Sequence, residues 1–254
     1  MTGAVVFSAS SVNAYLDCHL RWYFGYVLNE QGESSEAQAV GIAVHDAAEM
    51  WLKGTIARDS IIHVGDPLRS LERLFRDEIL PTYRDPILVE ASFQIEVNGI
   101  GFSGIIDALD RQDMPPPGSF VDWDSEGRDM IDAYAVYANI LRDLKTTGKR
   151  PAAGKYRFNM IGYYLGVTEG LDHEVDGMQL DYLIRTQKPY YWQEVQLLPD
   201  EDEIAAWAAQ LEAVANGVSR ADYEPTGLGT YVCSYCSFQG ICGPYQRYKE
   251  VTNG

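Results

Sequence analysis

Two apolar runs that each end on an aspartate constrain this chain most. Gly104-Ile105-Ile106-Asp107 closes one, and Asp143-Leu144-Lys145 closes the other. Both have the composition of strands, so the fold must bring two strand ends together if these groups are to act as one. Two carboxylates and an ammonium so placed suit metal-assisted phosphodiester hydrolysis, because divalent magnesium or manganese prefers carboxylate and carbonyl oxygen. Asp107, Asp143 and the backbone carbonyl of Leu144 are therefore candidate metal ligands, and Lys145 is the group that faces the attacking water. An aspartate at a strand end is common by itself. The pair together with the lysine carries the expectation.

Four motifs then occur in one order: Gly41-Ile42-Ala43-Val44-His45, Gly104 to Asp107, Asp143 to Lys145, and Asn159-Met160-Ile161-Gly162-Tyr163. In this the chain resembles the PD-(D/E)XK nucleases, in particular their RecB-like branch, whose pattern is Gly-x-x-x-His, Gly-x-Ile-Asp, Asp-x-Lys and Gln-x-x-x-Tyr. The departures are Asn159 in place of glutamine and about thirty residues between the acidic strands. The resemblance implies that His45 is a metal ligand beside Asp107 and Asp143, and that Tyr163 lines the site. Asn159 would contact DNA. Glu49 lies four residues after His45, on the same helix face.

Four cysteines remain: Cys18 alone, then Cys233, Cys236 and Cys242. In a cytosolic chain, Cys-x2-Cys with a third cysteine nearby reads as a metal site before it reads as disulfides. The spacing leaves a [4Fe–4S] cluster and structural zinc both open. The resemblance separates them: one cysteine near the N-terminus and three near the C-terminus, flanking the nuclease motifs, look like the iron–sulfur clasp of RecB-like nucleases such as AddB and the CRISPR-associated exonucleases. His19, next to Cys18, is a weaker alternative ligand.

The formal charge of −17, from 20 basic and 37 acidic residues, runs against phosphate binding unless the cations are grouped. They are: Arg142, Lys145, Lys149, Arg150, Lys155 and Arg157 form a basic island whose single acid is Asp143. Arg142, Lys149, Arg150, Lys155 and Arg157 are expected to face DNA, with Lys145 at the site itself. The start Met1-Thr2-Gly3-Ala4-Val5-Val6-Phe7 lacks a basic n-region, and no segment approaches the roughly 20 apolar residues of a membrane span. A cytoplasmic protein of a bacterium, or of a host cell if phage-encoded, is expected.

Along the chain, Ser8 to Ser11 offer N-caps for a helix running to Phe24, and a second helix is predicted over Glu36 to Leu52. Asp66-Pro67 reads as N-cap and N1 of a helix from Leu68 to Leu80. Alternation from Ile87 to Val97, then Asn98-Gly99, predicts a hairpin into Ile100 to Leu109, with Glu90 and Glu96 towards solvent or supporting the site. The prolines within Asp113 to Gly118 read as a turn, followed by a short helix from Arg128 to Tyr137. Ala138 to Leu144 is a strand, Tyr156 to Gly166 a helix, Val175 to Arg185 and Tyr190 to Leu198 a strand pair. A final helix opens at Pro199 to Glu203 and reaches Val214.

The predicted fold is α/β: one domain over residues 1–254, with a mixed central sheet flanked by helices in a restriction-endonuclease-like core. An annex forms from 1–30 and 226–245. With 46% apolar residues in 254, the chain can bury a core of that size. The resemblance implies a Mg²⁺- or Mn²⁺-dependent DNA exonuclease of recombination, repair or end-processing. Expected partners are DNA, recombination or CRISPR-adaptation proteins, and a second copy of the chain, but no membrane. A nuclease-like scaffold that grips DNA without cutting is the rival, and a zinc-stabilised regulatory module the third reading.

Overall fold

Helix α1 (Ala9–Asp17) begins at Ser8, which forms a reciprocal capping box with Ser11. The helix does not run on to Phe24. Cys18 is extended (φ −168°, ψ 119°), and the chain restarts as α2 (His19–Trp22) with a π turn over Tyr23–Val27. Helix α3 (Glu36–Leu52) has the predicted bounds and is capped by the Ser35 hydroxyl, which accepts the Gln38 N–H at 3.2 Å. Helix α4 (Leu68–Leu74) widens into a π turn over Phe75–Ile79 and then tightens into a 3₁₀ turn over Leu80–Thr82. Pro67 occupies its N-cap instead of N1, and Asp66 instead accepts from the Ser70 hydroxyl at 2.6 Å. The structure is a computed structural model and describes residues 5–32, 35–114 and 136–253.

Strands β2 (Asp85–Val97) and β3 (Ile100–Met114) form the predicted hairpin. Its turn residues Asn98 (φ 52°) and Gly99 (φ 78°) are both left-handed, which matches the right-handed twist of the strands. The proline run at 115–117 and the predicted helix over 128–135 lie outside the described residues. Tyr137, expected on that helix, is instead an exposed residue of β4 (Val136–Thr147). Helix α5 (Arg157–Leu165) crosses from β4 to its parallel neighbour β5 (Gly177–Ile184), and β6 (Tyr190–Gln196) pairs antiparallel beyond it. Helix α6 (Glu201–Ser219) is capped by Asp200, with Glu201, Asp202 and Glu203 in its first turn where the helix dipole favours them. Two further helices follow, α7 (Tyr231–Ser234) and α8 (Gly243–Asn253), neither of which the sequence announced.

The sheet is mixed, in the order β1 (Val6–Phe7), β3, β4, β5, β6, with β2 on the other edge of β3. Helices cover both faces. Val12, Tyr15, Phe102, Ile106, Met160, Trp207 and Leu211 pack under α1, α5 and α6. Val44, Trp51, Leu71, Phe75, Leu144 and Leu183 pack under α3 and α4. This is the predicted mixed α/β architecture. No helix among the described residues is long and apolar enough to cross a membrane.

The register of β3 and β4 positions the site. Strand β2 pairs with β3 from Ile100 to Arg111, so β1 and β4 share the opposite edge. Pairing of β3 with β4 stops at Ala108↔Arg142, whereas β4 stays paired with β5 as far as Thr147↔Ile184. Residues 143–147 therefore diverge from β3, and a gap opens where Asp107 and Asp143 stand.

Candidate active site

At that divergence the Leu144 N–H donates to Asp107 Oδ2 at 2.6 Å, so a side chain replaces the lost strand ladder. A strand residue presents its N–H and C=O to the same edge, so the Leu144 carbonyl also faces the gap. Asp143 and Lys145 are two apart on β4 and share a face. Lys145 Nζ donates to Asp143 Oδ1 at 2.7 Å. Asp143 is 2% exposed, and both of its carboxylate oxygens lie 2.7 Å from the same ammonium.

His45, carried in on α3, places Nδ1 3.6 Å from Asp107 Oδ1. A third ligand type joins them that the sequence pattern put towards solvent or in a supporting place. Glu90 lies on β2 between the pairs Val89↔Ala108 and Ala91↔Ile106, hence opposite Asp107, and its backbone is left-handed (φ 50°). That conformation is uncommon for glutamate. Its carboxylate, an Asp107 oxygen and a His45 nitrogen all lie within 4.8 Å of one another, the donor set a divalent ion takes. Period-two alternation missed Glu90 because it assumes an unbroken strand. Glu49 lines the same hollow but is bonded to Lys53 at 2.6 Å, and Glu96 is exposed.

Helix α5 closes the other side. The Tyr163 ring lies against Gly104, where a Cβ would stand 2.7 Å from Phe93 Cζ and 3.3 Å from Tyr163 Cε1, so only glycine fits. Burial first, and then the Asp143 carboxylate, push the Tyr163 phenol up to about 12 and keep it a donor. Asn159 is buried on the same helix face and accepts from the Asn13 amide at 3.0 Å, which ties α5 to α1.

The electrostatics divide the acids. Burial opposes the charge on Asp107, yet His45 and Lys145 hold its carboxyl below the usual range. Burial raises Asp143 to about 6 against the pull of Lys145, and burial with the Asp107 charge raises Glu90 to about 7. Burial lowers His45, but Asp107 outweighs it and the imidazole ends above its ordinary value. Lys145 is likewise disfavoured by burial, but Asp143 and Asp107 overcome this and keep it protonated.

A metal must displace protons from Glu90, Asp143 and His45. The sign follows. Folded-state values of about 6 and about 7 stand above the unfolded value of about 4, so metal-free stability from these two acids is lost as pH rises through about 4 to 7. Ion binding gains over the same window. The rise in melting temperature given by Mn²⁺ should therefore be larger at pH 8 than at pH 5.5, as read by thermal unfolding. An equal shift at both would show that no proton is displaced.

The basic island divides as well. Arg142 is fully buried (0% exposed), which takes it out of any DNA-facing surface. It lies on the face of β4 opposite Asp143, donates to Asp181 Oδ2 at 2.9 and 2.7 Å and to Thr82, and stacks on Tyr83 at 3.6 Å. Arg157 is fixed by Glu203 at 2.9 and 2.5 Å and by the Leu197 carbonyl at 2.7 Å. The remaining cations stay together. Lys149 and Lys155 line an open cleft of about 430 Å³, and Arg150 stacks on Trp192 at 3.9 Å. Lys155 and Lys145 stand 5.1 and 5.6 Å from the ring of Tyr156, which joins this cleft to the acids.

Cys18, Cys233, Cys236 and Cys242 line one pocket between the α1–α2 break and the C-terminal segment. The break lets Cys18 face inward. Gly227 presses against it, where a Cβ would lie 2.8 Å from the Asp17 carbonyl, and the Cys233 thiol donates to the Gly227 carbonyl at 3.1 Å. His19 stacks on Tyr15 at 4.0 Å, stands 3.2 Å from Asp222, and does not line the pocket.

Comparison with solved structures finds SSO0001, with a TM-score of 0.49 and 13% identity over 96% of this chain and 89% of that one. A candidate exonuclease from Eubacterium rectale gives 0.51 and 10% identity over 98% and 93%. At that identity the second likeness is one of fold. Comparison with curated proteins finds no match. A sequence model of the PD-(D/E)XK nuclease superfamily matches residues 6–124 and 128–243, which include His45, Glu90, Asp107, Asp143, Lys145 and Tyr163. The chain belongs to the PD-(D/E)XK nuclease superfamily.

Proposed function

We propose that the chain is a Mg²⁺- or Mn²⁺-dependent deoxyribonuclease of the RecB-like branch, an exonuclease that serves DNA recombination, repair or end-processing. The observation that carries this is the His45–Glu90–Asp107 group, whose candidate ligand atoms lie within 4.8 Å of one another, beside the buried Asp143–Lys145 ion pair. A DNA-binding scaffold gains nothing from holding the Glu90 and Asp107 carboxylates together, whose mutual repulsion a bound cation relieves. A bound divalent ion would acidify a water molecule and offset phosphate charge. Lys145, held protonated, donates to the non-bridging oxygens of the phosphate as charge develops there, and is no general base. Tyr163, protonated to about 12, can donate beside it. Lys149, Arg150 and Lys155 take the flanking phosphates. Metal-dependent release of nucleotides from linear DNA tests the reading.

The four cysteines fit a [4Fe–4S] cluster. Their pocket brings Cys18 to the three C-terminal cysteines, so the cluster's role is to clasp the two ends of the chain. Cys236→Ala should lower iron content and the melting temperature together, the latter by about 10 °C, the shift that about 4 kcal/mol gives a domain of this size. Normal iron and melting in that variant would remove the cluster from this account. Recombination or CRISPR-adaptation proteins, and a second copy of the chain, are the proposed protein partners.

A further inference from the structure

Strand β3 has a window in its edge. Strand β1 pairs only with Gly101 and Phe102, and pairing with β4 starts at Ala108, so Ser103 to Asp107 have no strand partner on that side among the described residues. An open cleft of about 470 Å³ lies at this window, with Ser10, Ser92, Ser103, Phe93, Ile105 and Tyr163 in its lining. Among the described residues no charged side chain lines it. Ile105 is 54% exposed although it sits mid-strand in a six-stranded sheet, and two residues along the same strand face stands Asp107. Tyr163 is the wall shared by this cleft and the Asp143–Lys145 pair.

We propose that this cleft is a pocket for the terminal nucleoside of a DNA strand, holding the base and sugar of the nucleotide being released. The inference rests on the nuclease reading and deepens it. The exposed Ile105 side chain and the half-buried Tyr163 ring suit a base, which stacks without regard to sequence, and hydroxyls that both donate and accept suit sugar and base edges.

The charge balance across the site decides which nucleotide enters. The cleft of Lys149 and Lys155 can neutralise phosphates. The serine-lined cleft holds no cation, and Asp107 at its end repels a second phosphate. Only a nucleotide whose sole phosphodiester is the one being cut fits both conditions, and that is the terminal one. In the cut, the water oxygen bonds to phosphorus, the bridging P–O bond breaks, and the leaving oxygen takes one proton while the other goes to solvent. The nucleotide in the pocket leaves as the small product, and the strand stays on the cationic side.

The test uses the full chain and 2′-deoxyadenosine, which carries no phosphate, titrated by saturation-transfer NMR. Wild type should bind it saturably. Ser10→Trp, which fills the cleft from an exposed position on α1, should weaken binding about tenfold or more and lower mononucleotide release from linear DNA by a similar factor. Its Mn²⁺ binding and melting temperature should be unchanged. Ile105→Ala, an exposed truncation, should act in the same direction and covers the case in which the tryptophan variant fails to fold. Unaltered nucleoside binding in both variants, or oligonucleotides as the only wild-type products, would overturn the proposal. If wild type cuts no DNA at all, the nuclease reading fails on its own, and the nucleoside titration still decides the pocket.

Discussion

Replacing Lys145 with methionine should lower DNA hydrolysis about 100- to 1000-fold, the usual loss when one donor to a developing oxyanion is removed. The effect has a second part. Lys145 is the group that pulls Asp143 down against burial, to about 6. Without it the Asp143 carboxyl titrates higher, so residual activity and Mn²⁺ affinity should both move to higher pH. A rate-against-pH series at saturating Mn²⁺ reads both effects. Activity within about tenfold of wild type, with an unmoved profile, would mean that the ammonium is a packing group and that the chemistry lies elsewhere.

The second large effect is on folding. Arg142 stands between Asp181, to which it donates, and Asp110 at 3.7 Å, all three fully buried. Asp110 also accepts the N–H groups of Arg84 and Asp85 at 3.0 Å, and Asp181 accepts from Gln179 at 2.7 Å and Tyr191 at 2.8 Å. The guanidinium therefore joins β3, β4, β5 and the end of α4 at the last pair before β3 and β4 part. Arg142→Met leaves two carboxylates buried without their cation and should cost about 3 to 5 kcal/mol, a large share of a domain's stability, in urea unfolding. A loss below about 1 kcal/mol, with weakened DNA binding instead, would return Arg142 to the substrate surface.

These two residues, three apart on one strand, also show what the sequence could and could not say. Asp107, Asp143 and Lys145 were legible because strand ends, carboxylates and a lysine at fixed spacing carry their chemistry locally. Helix α3 and the Asn98-Gly99 hairpin were legible for the same reason: caps and turns are written in neighbouring residues. Arg142 was misread by counting charge along the chain, although alternation on a strand already places it on the face opposite Asp143 and Lys145. Arg157 could not have been read, since its partner Glu203 arrives from α6. Glu90 was hidden by a left-handed backbone that alternation does not anticipate, and the helix break at Cys18 depends on the C-terminal segment packed against it. Local chemistry was visible. Long-range pairing and backbone exceptions were not.

The most direct measurement is release of label from end-labelled linear DNA and nicking of closed circular DNA by the intact protein, with Mn²⁺ or Mg²⁺ and with the ion chelated. The account predicts metal-dependent release of mononucleotides from linear DNA, no cutting of circles, and loss of release in Lys145→Met. Absence of hydrolysis on every substrate, from folded protein that binds Mn²⁺, would contradict it.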